Sequence, residues 1–244
     1  MVKKHIHIVG SSIASRFGID SPSWPELLSQ YLDGDLQVSY ETQDGMTFTR
    51  AIPLISNMES ADVLILHFGI AVGWPVSFRK VDIKLGTTPL KNEYAFHQPR
   101  GKGHTAKGRL KNRVKFRLRN GLKYLLFLLG QYKPRVNPRD LQDQISAVLS
   151  IAHSKTKEVI WIQHVPAWSM RTYVERWYYR RYISRVKWFA ETIKPVGTYF
   201  IIPSDELARV ENYAQDTTHL SAEGHRAYFE YFSQLPVIKK LQRV

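Results

Sequence analysis

The sequence predicts a three-layer α/β/α domain built on a central parallel sheet. Four short runs rich in β-branched, leucine and aromatic residues have the length of buried strands, and each ends near Gly or Pro. Segments with helical periodicity separate these runs. Strands that alternate with helices are joined by right-handed crossovers, which place helices on both faces of a parallel sheet. The predicted strands are 5–9, 62–68, 158–165 and 198–202.

Two helices are predicted from a start signal and from an apolar face. Ser23 and Glu26 have the spacing of a capping box, which predicts a helix beginning at about Trp24. A second helix is expected over 138–153, because its apolar residues recur on one face. These residues are Leu141, Ile145, Val148 and Leu149.

The length of 244 residues fits one large domain, 1–244, and the content of 43% hydrophobic and 23% charged residues is globular. The segment 76–135 departs from the alternating plan, because it is long between two predicted strands and strongly basic. We predict that it is a partly helical insertion.

The chain carries 35 Lys and Arg against 21 Asp and Glu, a formal charge of +14, so its natural partners are anionic. Residues 100–123 contain ten Lys or Arg and no acid, and 171–188 form a second basic stretch with Tyr and Trp. Nucleic acid is the least favoured partner, behind an anionic membrane surface or an acidic glycan. The cations predicted to bind the anionic glycan or membrane surface are Lys111, Arg113, Lys115, Arg117, Arg180 and Arg181.

Each basic stretch has a second interpretation. The stretch 100–123 could be a solvated helical face. Its helical pattern also contains an apolar stripe that suits a membrane surface or an acidic polymer, formed by Leu110, Val114, Leu118, Leu122 and Leu125. The aromatic residues of 171–188 could stack on sugars or bases, or they could face the core.

The chain has no cysteine, which excludes disulfides, a thiol nucleophile and thiolate metal sites. No grouping of His, Asp and Glu has metal-ligand spacing, so we expect no metal and no cofactor. The N-terminus lacks the apolar core of a secretory signal, and the longest apolar run is too short to span a membrane. We therefore expect a cytoplasmic protein, with peripheral contact to the inner membrane face as a further expectation.

Ligands bind at the carboxyl ends of the strands in such sheets, and two segments there could carry chemistry. Ser12 follows the first predicted strand, where its hydroxyl could act as a nucleophile beside its own backbone N–H. Asp216 precedes His219 by three residues, a spacing that lets a carboxylate orient an imidazole that accepts a proton from serine. Taken alone, the first segment is more typical of a turn, and the second could be a capping Asp with a surface His.

Together, the two ends resemble the SGNH, or GDSL-like, hydrolase family. Ile8-Val9-Gly10-Ser11-Ser12-Ile13 is similar to the family's first block, with Ser11 in place of Asp. The last block, Asp-x-x-His-Leu-x-x-x-Gly-His, is matched by Asp216, His219, Leu220, Gly224 and His225. The resemblance implies an SGNH or flavodoxin-like fold, with Ser12 as nucleophile, His219 as base and Asp216 as the residue that orients it.

The resemblance also implies an oxyanion hole made by the backbone N–H groups of Ser12 and Gly45. The family's third block reads Gly-x-Asn-Asp, whereas this chain has Gly69-Ile-Ala71-Val72, so the side-chain donor is missing. Losing one such donor costs about 3 kcal/mol in other serine hydrolases, so slow turnover is expected. Gln43 and His67 are candidate substitutes. For His5, His7, His67 and His164, however, a structural role within a strand is the favoured interpretation.

The function implied by the resemblance is an acyl-ester hydrolase or acyltransferase that acts on O-acetyl groups of a carbohydrate or polysaccharide intermediate. The alternative is a non-catalytic binding protein on the same scaffold that recognises an anionic glycan or membrane surface. Ser11 and Ala71 favour this alternative, whereas the complete Asp-x-x-His-Leu block argues against it.

Overall fold

The computed structural model describes residues 4–16, 19–32, 36–69, 80–81, 106–131, 136, 140–166, 173–203, 206–213 and 219–242. Strands and helices alternate along most of the described chain. The strands are β1 (Lys4–Ser11), β2 (Leu36–Gln43), β3 (Val63–Phe68), β4 (Glu158–Gln163) and β5 (Thr198–Ile201). The helices are α1 (Trp24–Tyr31), α2 (Phe48–Asn57), α3 (Ala106–Leu128), α4 (Leu141–Lys155), α5 (Tyr173–Ile193), α6 (Ala222–Ser233) and α7 (Pro236–Gln242).

The five strands form one parallel sheet in the order β2-β1-β3-β4-β5. The chain leaves β1 for β2 on one side and then crosses to β3 on the other side. The strand order therefore reverses beside β1, and the carboxyl ends of β1 and β3 border the crevice where ligands bind in open α/β sheets. Ser12 is the first residue after β1 and lies at this crevice.

Two apolar layers enclose the sheet, because successive side chains of a strand point to opposite faces. Ile65 of β3 packs in the layer with α1, α6 and α7, whereas its neighbours Leu64 and Leu66 pack with α2, α4 and α5. The predicted α/β fold class with a central parallel sheet is confirmed.

Of the strands in the described part of the chain, β2 at Leu36–Gln43 is not among those predicted from the sequence. It lies at the edge of the sheet and pairs only with β1 among the described strands. Leu36 is its one buried residue, so the strand lacks the continuous apolar run that marks a strand covered on both faces.

The two predicted helices are present. The Glu26 carboxylate accepts hydrogen bonds from the Ser23 backbone N–H at 2.6 Å and from Ser23 Oγ at 2.8 Å, which completes the capping box of α1. Helix α4 begins three residues later than predicted. All four predicted core residues of its apolar face, Leu141, Ile145, Val148 and Leu149, are buried.

The basic segment contains helix α3, in which Lys123 is fully buried. Lys123 Nζ lies 2.8 Å from Glu175 Oε1 of α5, and both side chains are at most 1% exposed. Lys123 is one of the ten cations of 100–123, and its partner Glu175 comes from outside that acid-free stretch. Among the described residues, no helix is long and apolar enough to span a membrane.

Candidate active site

Ser12 is held in a series of turns over residues 12–16 that begins where β1 ends. The Ala14 backbone N–H donates to the Ser11 carbonyl at 2.8 Å, and Ser15 Oγ donates to the Ser12 carbonyl at 2.9 Å. Arg16 closes the segment by donating to Glu26 of α1 at 2.7 Å. These contacts fix the backbone on both sides of the Ser12 side chain.

The Glu26 carboxylate is charged in this arrangement. Burial alone would raise its pKa, but hydrogen bonds from Arg16 and from the backbone and side chain of Ser23 lower the pKa to about 2. Glu26 therefore links the turn after Ser12 to the start of α1 as a carboxylate at neutral pH.

A second fixed segment carries His219. An antiparallel bridge joins Tyr213 to Leu220, and the Ser221 backbone N–H donates to the Asn212 carbonyl at 3.0 Å. Helix α6 then begins, with Ser221 Oγ accepting from the Gly224 N–H at 3.1 Å. A Cβ at position 224 would overlap the Asn212 carbonyl, which is a physical reason for glycine there.

The two segments meet at the carboxyl edge of the sheet. His219 Nε2 lies 3.0 Å from Ser12 Oγ, although the two residues are 207 positions apart in the sequence. Both side chains are partly exposed, so a substrate can reach them. A neutral imidazole that accepts through Nε2 can take the serine proton, which is the contact that a nucleophilic serine requires. Asp216, the predicted orienting carboxylate, lies outside the described residues.

Ser11, which stands where the SGNH pattern has Asp, does not share this environment. It is 1% exposed, and its Oγ has no hydrogen-bond partner among the described residues. A Cβ on Gly69 would lie 2.7 Å from Ser11 Oγ, so the hydroxyl is buried against the end of β3. Only a glycine at position 69 leaves room for it. Of the two adjacent serines, the structure therefore presents Ser12 to His219.

The predicted oxyanion residues are placed only in part. Gln43 is paired with Ser11 in the sheet register, and Gly45 follows two residues later at the same edge. Gly45 has a φ of 61°, a left-handed conformation that favours glycine, in the turn that leads to α2. The side chain of Gln43 is exposed at the end of β2. Ala71 lies outside the described residues.

His67, the other candidate for the missing oxyanion donor, lies in the core. It is completely buried between the rings of Trp24, Tyr228 and Phe232, and neither ring nitrogen has a hydrogen-bond partner among the described residues. Burial, with a smaller effect from His225, lowers its pKa to about 3, so the ring is neutral. The structure therefore favours the structural interpretation of His67.

The other strand histidines also make structural contacts. His5 Nε2 and His7 Nδ1 each lie 2.6 Å from Ser39 Oγ of β2, and His164 Nδ1 lies 2.9 Å from the Tyr228 hydroxyl. Within the part of the chain that the structure describes, no group of three or more His, Cys, Asp or Glu could hold a metal ion.

His225, the last residue of the SGNH-like block, joins α6 to α1. It is 1% exposed, and its Nδ1 accepts from the Trp24 backbone N–H at 3.1 Å. Burial lowers its pKa to about 4; Glu26 partly opposes this shift, and His219 adds to it. The sequence pattern pointed to this residue, but its buried contact with the start of α1 could not be read from the spacing.

We expect the protein to lose stability as the pH falls below about 6.5. His67 and His225 are neutral in the folded chain, with pKa values of about 3 and 4 against 6.5 when unfolded. Their stabilising effect is complete above pH 6.5 and decreases as the pH falls toward those values, because only the unfolded chain binds the protons. Between pH 6.5 and its folded-state pKa, each imidazole should lower the free energy of unfolding by roughly 1 kcal/mol per pH unit.

Urea unfolding at a series of pH values measures this effect, and His67→Phe is the matched variant. Phenylalanine keeps an apolar ring among Trp24 and Tyr228 and removes one proton-binding group. The variant should therefore show a shallower loss of unfolding free energy with falling pH. Equal slopes for both proteins would contradict the role assigned to His67.

The cations predicted to bind an anionic partner are described only in part. Arg117 on α3 and Arg180 and Arg181 on α5 are exposed. The Arg181 guanidinium lies 5.3 Å from the centre of the Trp177 ring, which in turn contacts Phe127 of α3. Helix α3 includes Lys111, Arg113 and Lys115, but their side chains lie outside the described residues.

Helix α5 resolves part of the ambiguity over residues 171–188. Tyr178, Tyr179, Ile183 and Val186 are buried and belong to the interior. Tyr173 and Trp188 are 74% and 60% exposed, so these two rings remain accessible. The aromatic residues of this stretch are therefore divided between the core and the surface.

No protein-family model and no curated protein sequence matches the chain. Solved structures do match it. An alpha/beta hydrolase from the metagenome of Lake Arreo, Spain, is 14% identical with a TM-score of 0.58, over 94% of this chain and 93% of that one. A lipase/acylhydrolase from Enterococcus faecalis is 10% identical with a TM-score of 0.57, over 98% and 95%.

A third similar structure is that of a mutant of an acetyl-xylooligosaccharide esterase from Geobacillus. It is 14% identical with a TM-score of 0.57, over 95% of this chain and 93% of that one. A protein described as a putative GDSL-like lipase from Bacteroides ovatus also matches, at 14% identity and a TM-score of 0.55, over 99% of this chain and 54% of that one. The sheet order, the strand-end serine and these matches lead to one conclusion: the chain has the fold of the SGNH, or GDSL-like, hydrolases.

Proposed function

We propose that the protein is a serine acyl-ester hydrolase or acyltransferase of the SGNH type, with Ser12 as nucleophile and His219 as general base. The observation that carries this proposal is the 3.0 Å contact between Ser12 Oγ and His219 Nε2 at the carboxyl edge of the sheet. A non-catalytic binding protein has no need of an imidazole held on the hydroxyl of a strand-end serine. The shared fold supports the proposal without deciding the chemistry.

The reaction proceeds through an acyl-enzyme. Ser12 Oγ forms a bond to the acyl carbonyl carbon as its proton passes to His219 Nε2, and the carbonyl oxygen becomes an oxyanion. When the intermediate collapses, the ester C–O bond breaks and the imidazolium returns its proton to the leaving alcohol. Attack by water then completes hydrolysis, and attack by another hydroxyl group completes transfer.

The backbone N–H groups of Ser12 and Gly45 are proposed to stabilise the oxyanion, with Gly69 and Ala71 beside the acyl group. Two features support this assignment. Gly45 follows the end of β2 and Gly69 follows the end of β3, so both lie at the carboxyl edge of the sheet where β1 ends at Ser11. Because Ala71 offers no side-chain donor, turnover is expected to be slower than with an asparagine at that position.

The substrate class that we propose is an O-acetylated carbohydrate or polysaccharide intermediate with anionic character. Among proteins of the same fold, one is an acetyl-xylooligosaccharide esterase and another a carbohydrate esterase of family 3. The net charge of +14 and the exposed Arg117, Arg180 and Arg181 favour an acidic glycan or a lipid-phosphate-linked one over a neutral substrate. Such a substrate fits a cytoplasmic protein that works at the inner membrane face.

Covalent labelling with a fluorophosphonate tests the catalytic proposal. The native protein should be labelled at Ser12, and Ser12→Ala should abolish both the labelling and the hydrolysis of p-nitrophenyl acetate. Ser154→Ala is the control, because Ser154 is an exposed serine of α4 whose hydroxyl donates to the Ile151 carbonyl of the same helix. Labelling that persists in Ser12→Ala would overturn the assignment, and Ser11 would then be the residue to examine.

A further inference from the structure

Helix α3 has the opposite polarity from an ordinary surface helix. Its buried side carries Lys123, which forms an ion pair with Glu175, whereas large apolar side chains are exposed on its other side. A surface helix normally buries its apolar stripe and exposes its charges. The exposed apolar residues, with their exposed fractions, are Val114 (49%), Leu118 (58%), Leu125 (50%), Leu128 (61%) and Leu129 (61%), of which Leu129 directly follows the end of α3.

These five residues form one face along the part of the helix that begins at Val114. At about 100° per residue, they fall within a sector of roughly 100° that is centred opposite Lys123. Tyr124 and Arg117, both exposed, lie along one border of this sector. We call the five residues the leucine face. Nothing among the described residues covers it.

The charge of α3 selects the kind of surface that would cover the leucine face. The helix contains Lys107, Arg109, Lys111, Arg113, Lys115, Arg117 and Arg119 in addition to Lys123, and it contains no acidic residue. A second copy of the chain placed on this face would bring two such helices together, and their cations would repel each other. An acidic polymer would pair with the cations but would leave the leucines in water. A bilayer that contains anionic lipid suits both the cations and the leucine face. Its headgroups pair with cations, and its acyl chains accept leucine side chains.

We propose that α3 is a membrane-docking helix that lies in the interfacial plane of an anionic bilayer, with the leucine face toward the acyl chains. The Lys123–Glu175 pair and the contact of Phe127 with Trp177, whose ring centres are 5.2 Å apart, hold the opposite side of the helix against α5. The domain would thus stay folded on the helix while the leucine face enters the lipid. Tyr124 is then placed at the headgroup level, where aromatic side chains are favoured.

Vesicle flotation with the full chain tests this proposal. The vesicles are phosphatidylcholine alone or phosphatidylcholine mixed with phosphatidylglycerol. The protein should bind the mixed vesicles at least about tenfold more tightly than the neutral ones, and added salt should weaken this binding. The combined variant Leu118→Gln, Leu125→Gln and Leu128→Gln should lower binding to the mixed vesicles by about tenfold or more, because each leucine loses its transfer into the acyl region.

Val196→Gln is the matched control, since Val196 is 99% exposed but lies in the turn between α5 and β5. It should bind as the native protein does. Hydrolysis of p-nitrophenyl acetate without vesicles should be unchanged in both variants, which separates docking from the catalytic proposal. Binding that the leucine variant retains in full would overturn membrane docking and assign the interaction to the cations alone. A native dimer in light scattering that the leucine variant dissociates would overturn it in favour of a protein interface.

Discussion

Replacing His219 with alanine is expected to lower kcat for acyl-ester hydrolysis by about a thousandfold or more. The Ser12 hydroxyl is a weak nucleophile unless a base removes its proton as it attacks, and His219 Nε2 at 3.0 Å is in position to do this. The variant should keep its fold, because His219 is partly exposed and lies outside the apolar core. Steady-state hydrolysis of p-nitrophenyl acetate and a thermal unfolding curve measure the two quantities.

The control and the double variant make this prediction specific. Arg226→Ala alters an exposed residue on α6, close to His219 in sequence, and should retain the native rate. Residues that act as one unit in catalysis show non-additive losses, so Ser12→Ala combined with His219→Ala should be no slower than either single variant. A kcat for His219→Ala within tenfold of the native value would remove His219 from the mechanism. If the losses in kcat of the two single variants add in the double variant, His219 and Ser12 act independently of each other.

How far the fold could be predicted depended on how each strand is covered. β3 is buried on both faces, so Leu64, Ile65 and Leu66 are all apolar and form a run that indicates a strand directly. β2 is an edge strand in which polar residues such as Ser39 and Glu41 interrupt the apolar ones. No local sequence pattern indicates that β2 pairs in parallel with β1. The other four described strands could be predicted from the sequence, and β2 could not.

The candidate site was predictable because ligands bind at the carboxyl ends of the strands in an open α/β sheet, however far apart the residues there are in the sequence. Ser12 follows a predicted strand, and the pair of Asp216 and His219 was the second segment expected to carry chemistry, so both were expected at the ligand-binding edge of the sheet. The distance of 3.0 Å between the Ser12 and His219 side chains could not be obtained in this way. It depends on the bridge from Tyr213 to Leu220 and on the close approach of Gly224 to Asn212, which only the packed chain shows.

Tertiary packing also decided which charged and polar residues are buried. In the sequence, Lys123 is one of a run of cations, and a helical pattern with basic residues on every side does not show which of them faces a neighbour. Glu175 lies 52 positions further along the chain. Their pairing follows from the way α3 and α5 dock, and the docking buries Lys123 while it leaves Leu125 half exposed.

Breaking the Lys123–Glu175 pair is the second prediction with a large expected effect. Removing one partner of a buried ion pair leaves the other charge without that compensation in a medium of low dielectric, which costs about 3–5 kcal/mol. Lys123 and Glu175 are 0% and 1% exposed, so water provides little relief while the helices stay docked. Lys123→Met and Glu175→Leu should each destabilise the contact between α3 and α5 by this amount.

The loss should appear first as undocking of α3. This helix contacts α5 through the ion pair and the Phe127–Trp177 ring contact, whereas the sheet and its two apolar layers do not depend on it. Undocking of α3 lets the remaining charge reach water. The destabilisation caused by removing one partner therefore cannot exceed the free energy with which α3 docks on α5. Hydrogen exchange of the α3 amides should therefore become faster by about a hundredfold or more, while the amides of β3 and β4 exchange as in the native protein.

The double variant Lys123→Met with Glu175→Leu separates a charge effect from a packing effect. Two apolar side chains of similar volume can replace a buried ion pair at no cost or with a gain in stability, so slow exchange in α3 should be restored. Lys187→Met, which alters a cation of α5 that is 51% exposed and pairs with Glu191 at 3.8 Å, is the control and should leave α3 unaffected. If the double variant exchanges as fast as the single ones, the pair holds α3 through its shape rather than its charge. If the single variants exchange as the native protein does, other contacts hold α3 in place.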